Sequence, residues 1–293
     1  MQTLETIGRQ IDVVKDLNSV VSMMKALAAV SIQQYEKAVE ALAHYNRTIE
    51  MGFHIVLGAE PFYFNPREAE QGRTGVVVFG SDQGMCGRFN EEIVTFVTGK
   101  RRKENPREDW SVLVVGVRAE GQLADEGLLT DQLYEVPISV SEITDLVLEL
   151  LLRIERWQVE SNVNRLLVFH NRRTRASSFE PRMLQLLPID PVLLKKWREE
   201  PWQSNSLPMF VTERSALLSV LIRHYLFVAL FRACAESLAS ENAARIAAMQ
   251  AAEKNIEERL EELSGTYHQL RQTLITEELL DVVTGFEALS QAP

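Results

Sequence analysis

The sequence predicts an α/β protein in which a central domain of mainly parallel strands is joined to a long antiparallel coiled coil of the N- and C-terminal helices. Two observations predict the coiled coil: apolar residues recur at steps of three and four at both chain ends, and Pro is absent from 1–58 and 213–289. A third predicts the α/β layer, since short β-branched runs alternate with helix-like segments between them. We therefore expect an N-terminal coiled-coil helix at 1–58, a central α/β domain at 73–211 and a C-terminal coiled-coil helix at 213–289.

The N-terminal helix is predicted by a stripe of apolar or small residues. Its members are Leu4, Ile7, Ile11, Val14, Leu17, Val21, Met24 and Ala28. No Pro or Gly lies between Gly8 and Gly52, whereas turn-forming residues cluster between Gly58 and Gly72. A domain boundary is expected in that cluster.

In the central segment the spacing of apolar residues changes from that of a helix to short β-branched runs typical of strands. Buried strands are predicted at 75–79, 111–115 and 165–169, and helices at 91–103, 118–126 and 141–157, with Ser141 as the N-cap of the last helix. The segment from Pro181 to Pro208 contains five prolines and has no clear period. It is interpreted as a strand or two plus a loop.

The C-terminal helix is too long to pack entirely on the central domain, because at about 1.5 Å per residue it extends for about 115 Å. Its coiled-coil seam is predicted from apolar residues at steps of four and three. These are Ile256, Leu260, Leu263, Tyr267, Leu270 and Leu274. The N-terminal helix is the expected antiparallel partner, since the Ala-rich stretches 24–29 and 243–248 allow two helices to approach closely.

Composition excludes several classes of protein. With 46% hydrophobic and 25% charged residues the chain is not globally disordered, and its net charge of −10 argues against coating nucleic acid or an anionic lipid surface. Only Cys86 and Cys234 are present, which excludes a disulfide scaffold and indicates a reducing compartment. The most apolar stretch, 216–231, is cut by Arg223 and His224 into runs shorter than the roughly 18 residues that span a bilayer, so it is interpreted as a buried helix.

No catalytic, cofactor or metal site is predicted. The loop at 78–90 joins a strand to a helix, but its Gly80, Gly84 and Gly87 match neither phosphate-binding signature, so we expect Ser81 or Asp82 to satisfy backbone donors there instead. The five histidines have no neighbouring ligand at metal spacing. Cys86 has no His close to it in the sequence and is interpreted as a packed thiol.

One polar group on the acidic C-terminal helix suggests a partner. Residues 236–287 carry 4 basic and 11 acidic side chains, and a solvated helix face accounts for most of these charges. Arg271, Gln272 and Thr276 lie one turn apart, where the apolar seam continues. A polar contact with another protein is expected at these three residues.

These residues carry a family resemblance. The stretches ESLASENAARIAAM at 236–249 and YHQLRQTLITEEL at 267–279 resemble the C-terminal helix of the gamma subunit of F-type ATP synthases. The loop SDQGMCGRFN at 81–90 is similar to that family's central-domain loop, and 7–31 to its N-terminal helix. The similarity covers nearly the whole chain in order.

The resemblance implies a non-catalytic rotor shaft with no cofactor of its own. In that family the coiled coil enters a hexamer of alpha and beta subunits, and the α/β domain lies near the membrane with the epsilon subunit and the ion-carrying ring. Ion flow turns the ring and shaft, which drives the catalytic sites through their conformational states in turn. The membrane is therefore reached only through the ring, at the cytoplasmic face of a bacterial plasma membrane, and no nucleic acid is involved.

The resemblance also implies contact residues. Arg271, Gln272 and Thr276 match the polar group that contacts a loop of the beta subunit, and Met24 and Arg245 match positions near the beta subunit's mobile acidic segment. Met24 is equally well explained as a seam residue. Leu207 and Phe210 fall where the family touches the ring or the epsilon subunit.

The chain departs from the family pattern near Met24. Ser19 to Met23 replaces a usually Lys-rich stretch, and Lys25 stands where an acid is usual. These departures indicate a divergent bacterial branch, with proton and sodium both open as the coupling ion. The alternative hypothesis is a stand-alone α/β nucleotide-binding protein or enzyme with a coiled-coil oligomerisation arm, suggested by the loop at 80–87.

Overall fold

The computed structural model describes residues 3–58, 72–104, 109–174, 178–200, 202 and 208–290, with side chains through 284. The chain forms two compact units, one of 1–27 with 247–293 and one of 28–246. Two long helices, α1 (Leu4–Gly58) and α6 (Arg214–Ser290), contribute to both units. Each unit is described separately below.

The unit of 1–27 and 247–293 is an antiparallel helix pair. Early residues of α1 lie beside late residues of α6, since Gly8 is next to Tyr267 and Lys25 forms an ion pair with Glu253. Its apolar core contains Val21, Met249 and Ile256, which are buried. The predicted antiparallel coiled coil is confirmed.

The seam of α1 differs from the predicted stripe at one position. Leu17 is 51% exposed, whereas the neighbouring Asn18 is half-buried and its Oδ1 atom is fully shielded from solvent. Ile11, Asn18 and Lys25 follow each other at intervals of seven, so the heptad repeat places Asn18 in the seam and turns Leu17 away from it. The prediction that Leu17 belongs to the apolar stripe is wrong, because the seven-residue interval places Asn18 against the partner helix instead.

The unit of 28–246 contains a five-stranded sheet. Its strands are β1 (Arg73–Phe79), β2 (Trp110–Val115), β3 (Gln132–Tyr134), β4 (Val163–Arg173) and β5 (Phe179–Leu187). They lie in the order β3-β2-β1-β4-β5, and all neighbours are parallel except β4 and β5. The prediction of a mainly parallel sheet is confirmed. Sequence patterns missed β3 because it has only three residues, two of them exposed.

Four shorter helices complete this unit. They are α2 (Phe89–Glu104), α3 (Val117–Asp125), α4 (Val140–Glu160) and α5 (Pro191–Glu199). The N-cap of α4 is Ser139, whose Oγ accepts from the Glu142 N–H, and not the predicted Ser141. Helix α5 was not predicted in the Pro-rich segment. There Asp190 caps the helix by accepting from the Val192 N–H at 2.8 Å, and Pro191 occupies the first turn, where it costs no hydrogen bond.

Alternating strand residues build two apolar layers. Val77 and Phe79 belong to a core shared with α4 and α6, whereas Val76 and Val78 belong to a core shared with α2 and α3. A third cluster joins α1, α5 and α6, where the ring of Phe53 stacks on Trp197 with centroids 4.6 Å apart. The sheet is thus covered by helices on both faces.

Helix α6 contains an apolar stretch whose sequence is compatible both with a membrane span and with a buried helix. By length and composition the described part of α6 holds one window apolar enough to cross a membrane, with a mean hydropathy of 1.6, and 39% of that window is buried. The interruption by Arg223 and His224 is therefore not sufficient to exclude a span. Leu226, Leu230 and Phe231 are buried in the apolar layer on the sheet, as in the core helix of a globular unit.

Candidate partner-contact surface

The loop between β1 and α2 is held by hydrogen bonds to its own chain. The Asp82 carboxylate accepts from the backbone N–H groups of Val117 at 2.8 Å and Val136 at 2.7 Å. The Ser81 N–H donates to Asn90 Oδ1 at 3.0 Å, and Asn90 Nδ2 donates to Ser81 Oγ at 2.8 Å. The expectation that Asp82 satisfies backbone donors is confirmed, and it does so for two separate connections after strands β2 and β3.

Close backbone packing explains the glycines and the thiol of this region. Gly116 has φ of +109°, and a Cβ atom there would lie 2.6 Å from the Ser81 nitrogen. Cys86 is buried against Phe89 and Ala244, and burial raises the pKa of its thiol. Cys86 is therefore a packed thiol, as expected from the sequence.

Helix α6 covers the carboxyl ends of the two central strands. Ser237 Oγ donates to the Phe79 carbonyl at the end of β1 at 3.5 Å, and Ser240 Oγ donates to the Asn171 carbonyl of β4 at 3.0 Å. The strand order reverses between β1 and β4, which is where open parallel sheets bind nucleotides. Because α6 lies across this position, the geometry does not favour the nucleotide-binding alternative.

Arg245 lies on the same stretch of α6 and bonds within its own helix. It is only 9% exposed, forms an ion pair with Glu241 and donates to Asn242 Oδ1 at 3.1 Å. Burial raises the pKa of Glu241, and the Arg245 charge partly offsets this. Arg245 was predicted as a partner contact; the structure places it in an internal ion pair.

Met24 lies in the coiled-coil unit and packs against its core of Val21, Met249 and Ile256. This position agrees with the interpretation of Met24 as a seam residue. The adjacent Lys25 forms an ion pair with Glu253, and Ser22 Oγ donates to the same carboxylate at 3.4 Å. The unusual Lys25 therefore has its counter-charge within this unit.

The predicted group near the end of α6 is fully accessible. Arg271, Gln272 and Thr276 are all exposed, and Thr276 Oγ1 donates to the Gln272 carbonyl at 2.9 Å. The three residues thus lie within about one and a half turns of exposed helix, where Gln272 and Thr276 are joined by this hydrogen bond. Large apolar side chains beside them are also exposed, by 37–69%: Leu274, Ile275, Leu279, Leu280, Val282 and Val283.

Of the two residues predicted to contact a ring or epsilon subunit, Leu207 lies outside the described residues, and Phe210 is half-buried. Its neighbours Met209 and Val211 are 87% and 96% exposed. This short apolar segment directly precedes α6.

Sequence reasoning missed the charged cluster around Glu236. Its carboxylate accepts from His170 Nε2 at 3.1 Å and lies 3.2 Å from Arg232 Nε and 3.7 Å from Arg172 Nε. Although burial acts to raise it, these partners hold the pKa of Glu236 below its usual value. Only the spacing of four between Arg232 and Glu236 is visible in the sequence, because β4 supplies the other two partners.

Comparison with known proteins identifies the family. A family model described as ATP synthase matches residues 3–289. The ATP synthase gamma chain of Halothermothrix orenii is 27% identical, over 99% of this chain and 100% of the relative. The ATP synthase gamma chain of Malacoplasma penetrans is 22% identical, over 97% of this chain and 99% of the relative.

Solved structures share the fold at low sequence identity. A chain of the Euglena gracilis mitochondrial ATP synthase, in a structure of OSCP, F1 and c-ring, has a TM-score of 0.63 and 18% identity, covering 99% of this chain and 96% of its own. A chain from the central stalk and c-ring of the Tetrahymena thermophila mitochondrial ATP synthase has a TM-score of 0.54 and 18% identity, covering 80% of this chain and 99% of its own. Since the family model spans nearly all 293 residues, the chain belongs to the ATP synthase family, as a non-catalytic gamma subunit of the central stalk.

Proposed function

We propose that this chain is the rotor of an ATP synthase, which couples ion flow through a membrane ring to ATP synthesis or hydrolysis in an alpha/beta hexamer. Its partners are the alpha and beta subunits, the epsilon subunit and the ring. The Euglena and Tetrahymena neighbours come from rotor, F1 and c-ring, and central-stalk assemblies, which supports this set of partners.

The exposed end of α6 is the observation that carries this proposal. Helix α1 begins at Leu4, and its Gly8 lies beside Tyr267, so the later turns of α6 continue past the start of α1. Every described side chain from 271 to 284 is exposed, including large apolar ones. A run of exposed apolar side chains marks a surface that another protein covers.

The beta-subunit contact is assigned to Arg271, Gln272 and Thr276. The Arg271 guanidinium offers several donors to a partner carboxylate or carbonyl, and the Gln272 side chain offers both donors and an acceptor. The Thr276 hydroxyl is bonded within its own helix but keeps an accepting lone pair. The exposure of all three supports this assignment.

Met24 and Arg245 are assigned to the neighbourhood of the beta subunit's mobile acidic segment. Their side chains are engaged by their own units, so any effect on that segment is indirect or requires Arg245 to leave Glu241. Lys25 is neutralised by Glu253 and is left out of this contact.

The ring or epsilon contact is assigned to the segment from Leu207 to Phe210. The high exposure of Met209 and Val211 supports an apolar docking segment at this point of the chain. Through this contact the chain is peripheral to the membrane, at the cytoplasmic face of a bacterial plasma membrane. The three segments 1–58, 73–211 and 213–289 are proposed as the shaft's first helix, its base and its second helix.

Purification of the tagged chain from its native membranes tests the proposal. We expect the alpha, beta, epsilon and ring subunits to co-purify, and an actin filament or bead attached to this chain to rotate when the immobilised complex hydrolyses ATP. The isolated chain should neither hydrolyse ATP nor bind it saturably in calorimetry. Purification without those subunits, or ATP turnover by the isolated chain, contradicts the rotor function.

A further inference from the structure

Helix α2 and the edge strand β5 border a groove. The groove has a volume of about 370 Å³ and is lined along the helix by Arg88, Glu92, Thr95, Phe96, Gly99, Lys100 and Lys103, with Pro181 of the edge strand β5 opposite. Its helical positions recur every three or four residues from 88 to 103, so they form one continuous face. This face is separate from Ile93 and Val97, which α2 buries against the sheet. We refer to it as the α2 groove.

The floor of the α2 groove is apolar and fixed in position. The Phe96 ring packs edge-on against Phe169 with centroids 6.0 Å apart, which holds it at the rim of the core. At Gly99 a Cβ atom would meet nothing within 4 Å apart from its chain neighbours and the backbone of its own helix, so the absence of a side chain leaves a notch next to Phe96. This notch has room for an apolar side chain supplied from outside.

Two cations at one end of the groove have no ion-pair partner among the described residues. Residues 100–103, near the end of α2, are four consecutive basic residues. Of these, Arg101 donates to the Gly127 carbonyl and Arg102 pairs with Glu126 at 2.8 Å. Lys100 and Lys103, which line the groove, make no ion pair or hydrogen bond with any of the residues that the structure describes. Cations at a helix C-terminus stabilise the helix dipole, but Arg101 and Arg102 already supply that effect.

The combination of a notch and two free cations identifies the ligand chemistry. The geometry points to the docking of an acidic partner segment, whose carboxylates pair with Lys100 and Lys103 and whose apolar side chain enters the notch at Gly99. On a chain with a net charge of −10, a local basic face selects an acidic partner by charge complementarity. An anionic membrane is less well matched, because lipid recognition uses about 4–8 available cations, whereas Arg101 and Arg102 already bond to Gly127 and Glu126 and the groove also contains an apolar notch. The α2 groove shares no residue with the rotor contacts proposed above, so the two proposals stand separately.

Fluorescence anisotropy with labelled peptides and the full-length chain tests this docking. The probe is a 15-residue peptide of repeated Leu-Glu-Glu, compared with a Leu-Lys-Lys peptide and with polyglutamate of the same length. We expect the Leu-Glu-Glu peptide to bind, and the Lys100→Glu/Lys103→Glu variant to weaken binding by about tenfold or more, with a further loss at high salt.

A second variant blocks the notch without changing charge. Gly99→Trp places a large side chain in open space and should weaken the same peptide by about tenfold or more. Gly121→Trp on α3 is the matched control, because Gly121 also lies within a helix with open space around its Cβ position, and it should bind like the parent. Equal binding of the three peptides, parent-like binding by both groove variants, or binding only to vesicles with 30% phosphatidylglycerol would overturn the proposal.

Discussion

Polar side chains at the carboxyl ends of β1 and β4 satisfy the protein's own backbone. In nucleotide-binding sheets the loop after the first strand uses its free N–H groups to hold phosphate. Here the Asp82 carboxylate accepts hydrogen bonds from two backbone N–H groups, and the hydroxyl groups of Ser237 and Ser240 on α6 donate to carbonyls of β1 and β4. A loop that resembles a ligand-binding loop in sequence is thus part of the internal framework.

Replacing Asp82 should therefore destabilise the protein without removing a ligand site. Each hydrogen bond to a charged group contributes about 1.5–3 kcal/mol. Because Asp82 is half-buried and water can replace part of its two bonds, we expect Asp82→Ala to lower the free energy of unfolding by about 2–4 kcal/mol. Urea unfolding followed by tryptophan fluorescence measures this, since all four Trp residues belong to the unit of 28–246. The control is Gln83→Ala, at a neighbouring exposed side chain, which should change the free energy of unfolding by less than about 0.5 kcal/mol. Unchanged unfolding of Asp82→Ala contradicts the structural role.

The charged cluster at Glu236 should make stability depend on pH. Its folded-state pKa lies below the usual value of 4.5, so the unfolded chain binds more protons and the carboxylate contributes stability that is complete above pH 4.5. That contribution is lost as the pH falls through the lowered pKa. We expect Glu236→Gln to be less stable than the parent by about 1–3 kcal/mol at pH 7.

The parent and Glu236→Gln should therefore approach equal stability as the pH is lowered below 4.5. Urea unfolding of both proteins from pH 7 to about pH 2.5 provides the comparison. Glu241 has its pKa raised by burial, so it acts in the opposite direction and is present in both proteins. A difference in stability that is the same at every pH would mean that the lost packing, and not the charge, explains the effect.

The coiled coil contains polar seam residues that set its register. Asn18 lies at a seam position where apolar residues would pack more tightly, and Lys25 pairs with Glu253 across the two helices. A buried Asn in a seam costs stability but disfavours other registers. The antiparallel pair is therefore specified by charge and amide positions as well as by apolar contacts.

We expect Asn18→Leu to strengthen the helix pair. The Oδ1 atom of Asn18 is shielded from solvent and has no hydrogen-bond partner among the described residues. Replacing the amide by an apolar side chain removes the desolvation penalty of that atom, which is about 1–3 kcal/mol. Slower hydrogen exchange of the α1 backbone around residues 10–27, measured by mass spectrometry, is the expected result. Ser19→Leu is the control, because Ser19 is exposed and should leave the exchange unchanged. Faster exchange in Asn18→Leu would show that the amide stabilises the pair.

The elements that the sequence predicted are those with a strong, repeated pattern. The long helices and the strands at β1, β2 and β4 were predicted because their apolar periods are uninterrupted. The three-residue β3 and the helix α5 were not, since β3 is too short to show a period and α5 lies between prolines. The stripe of α1 was predicted correctly except at Leu17. Steps of three and four residues allow either Leu17 or Asn18 at this point, and the packing of the partner helix determines which of the two is buried.

The candidate site could be predicted only in part from the sequence, for a reason of geometry. Arg271, Gln272 and Thr276 are close in sequence and therefore remain within about one and a half exposed turns of one helix. The surroundings of Arg245 depend on how α6 lies over the strand ends, and the clusters at Glu236 and in the α2 groove combine residues from separate elements. Local spacing predicts groups on one helix, whereas groups that assemble across elements need the fold.

The charge of α6 also bears on how the subunit transmits force. The acidic residues at 257, 258, 261 and 262 are exposed to solvent, whereas Arg271 is a basic group among exposed apolar side chains near the end of the helix. A contact made there in only one rotational state biases one catalytic site relative to the others. Since about 1.4 kcal/mol corresponds to a factor of ten, a single charged hydrogen bond of about 1.5–3 kcal/mol is enough to change site occupancy by one to two orders of magnitude.

Changing Arg271, Gln272 and Thr276 together to Ala should therefore reduce coupling while leaving the fold intact. We expect the complex assembled with its own alpha and beta subunits to hydrolyse ATP about tenfold more slowly or to assemble less completely, with unchanged circular dichroism of the isolated chain. The matched control changes Asn255, Glu257 and Glu261 to Ala, since these residues are also exposed on α6 but have no exposed apolar neighbours of the same kind, and it should keep parent activity. If the Arg271 triple variant assembles, hydrolyses ATP and pumps ions at the parent rate, the three residues are only a solvated face of the helix, and their assignment to the beta-subunit contact must be withdrawn.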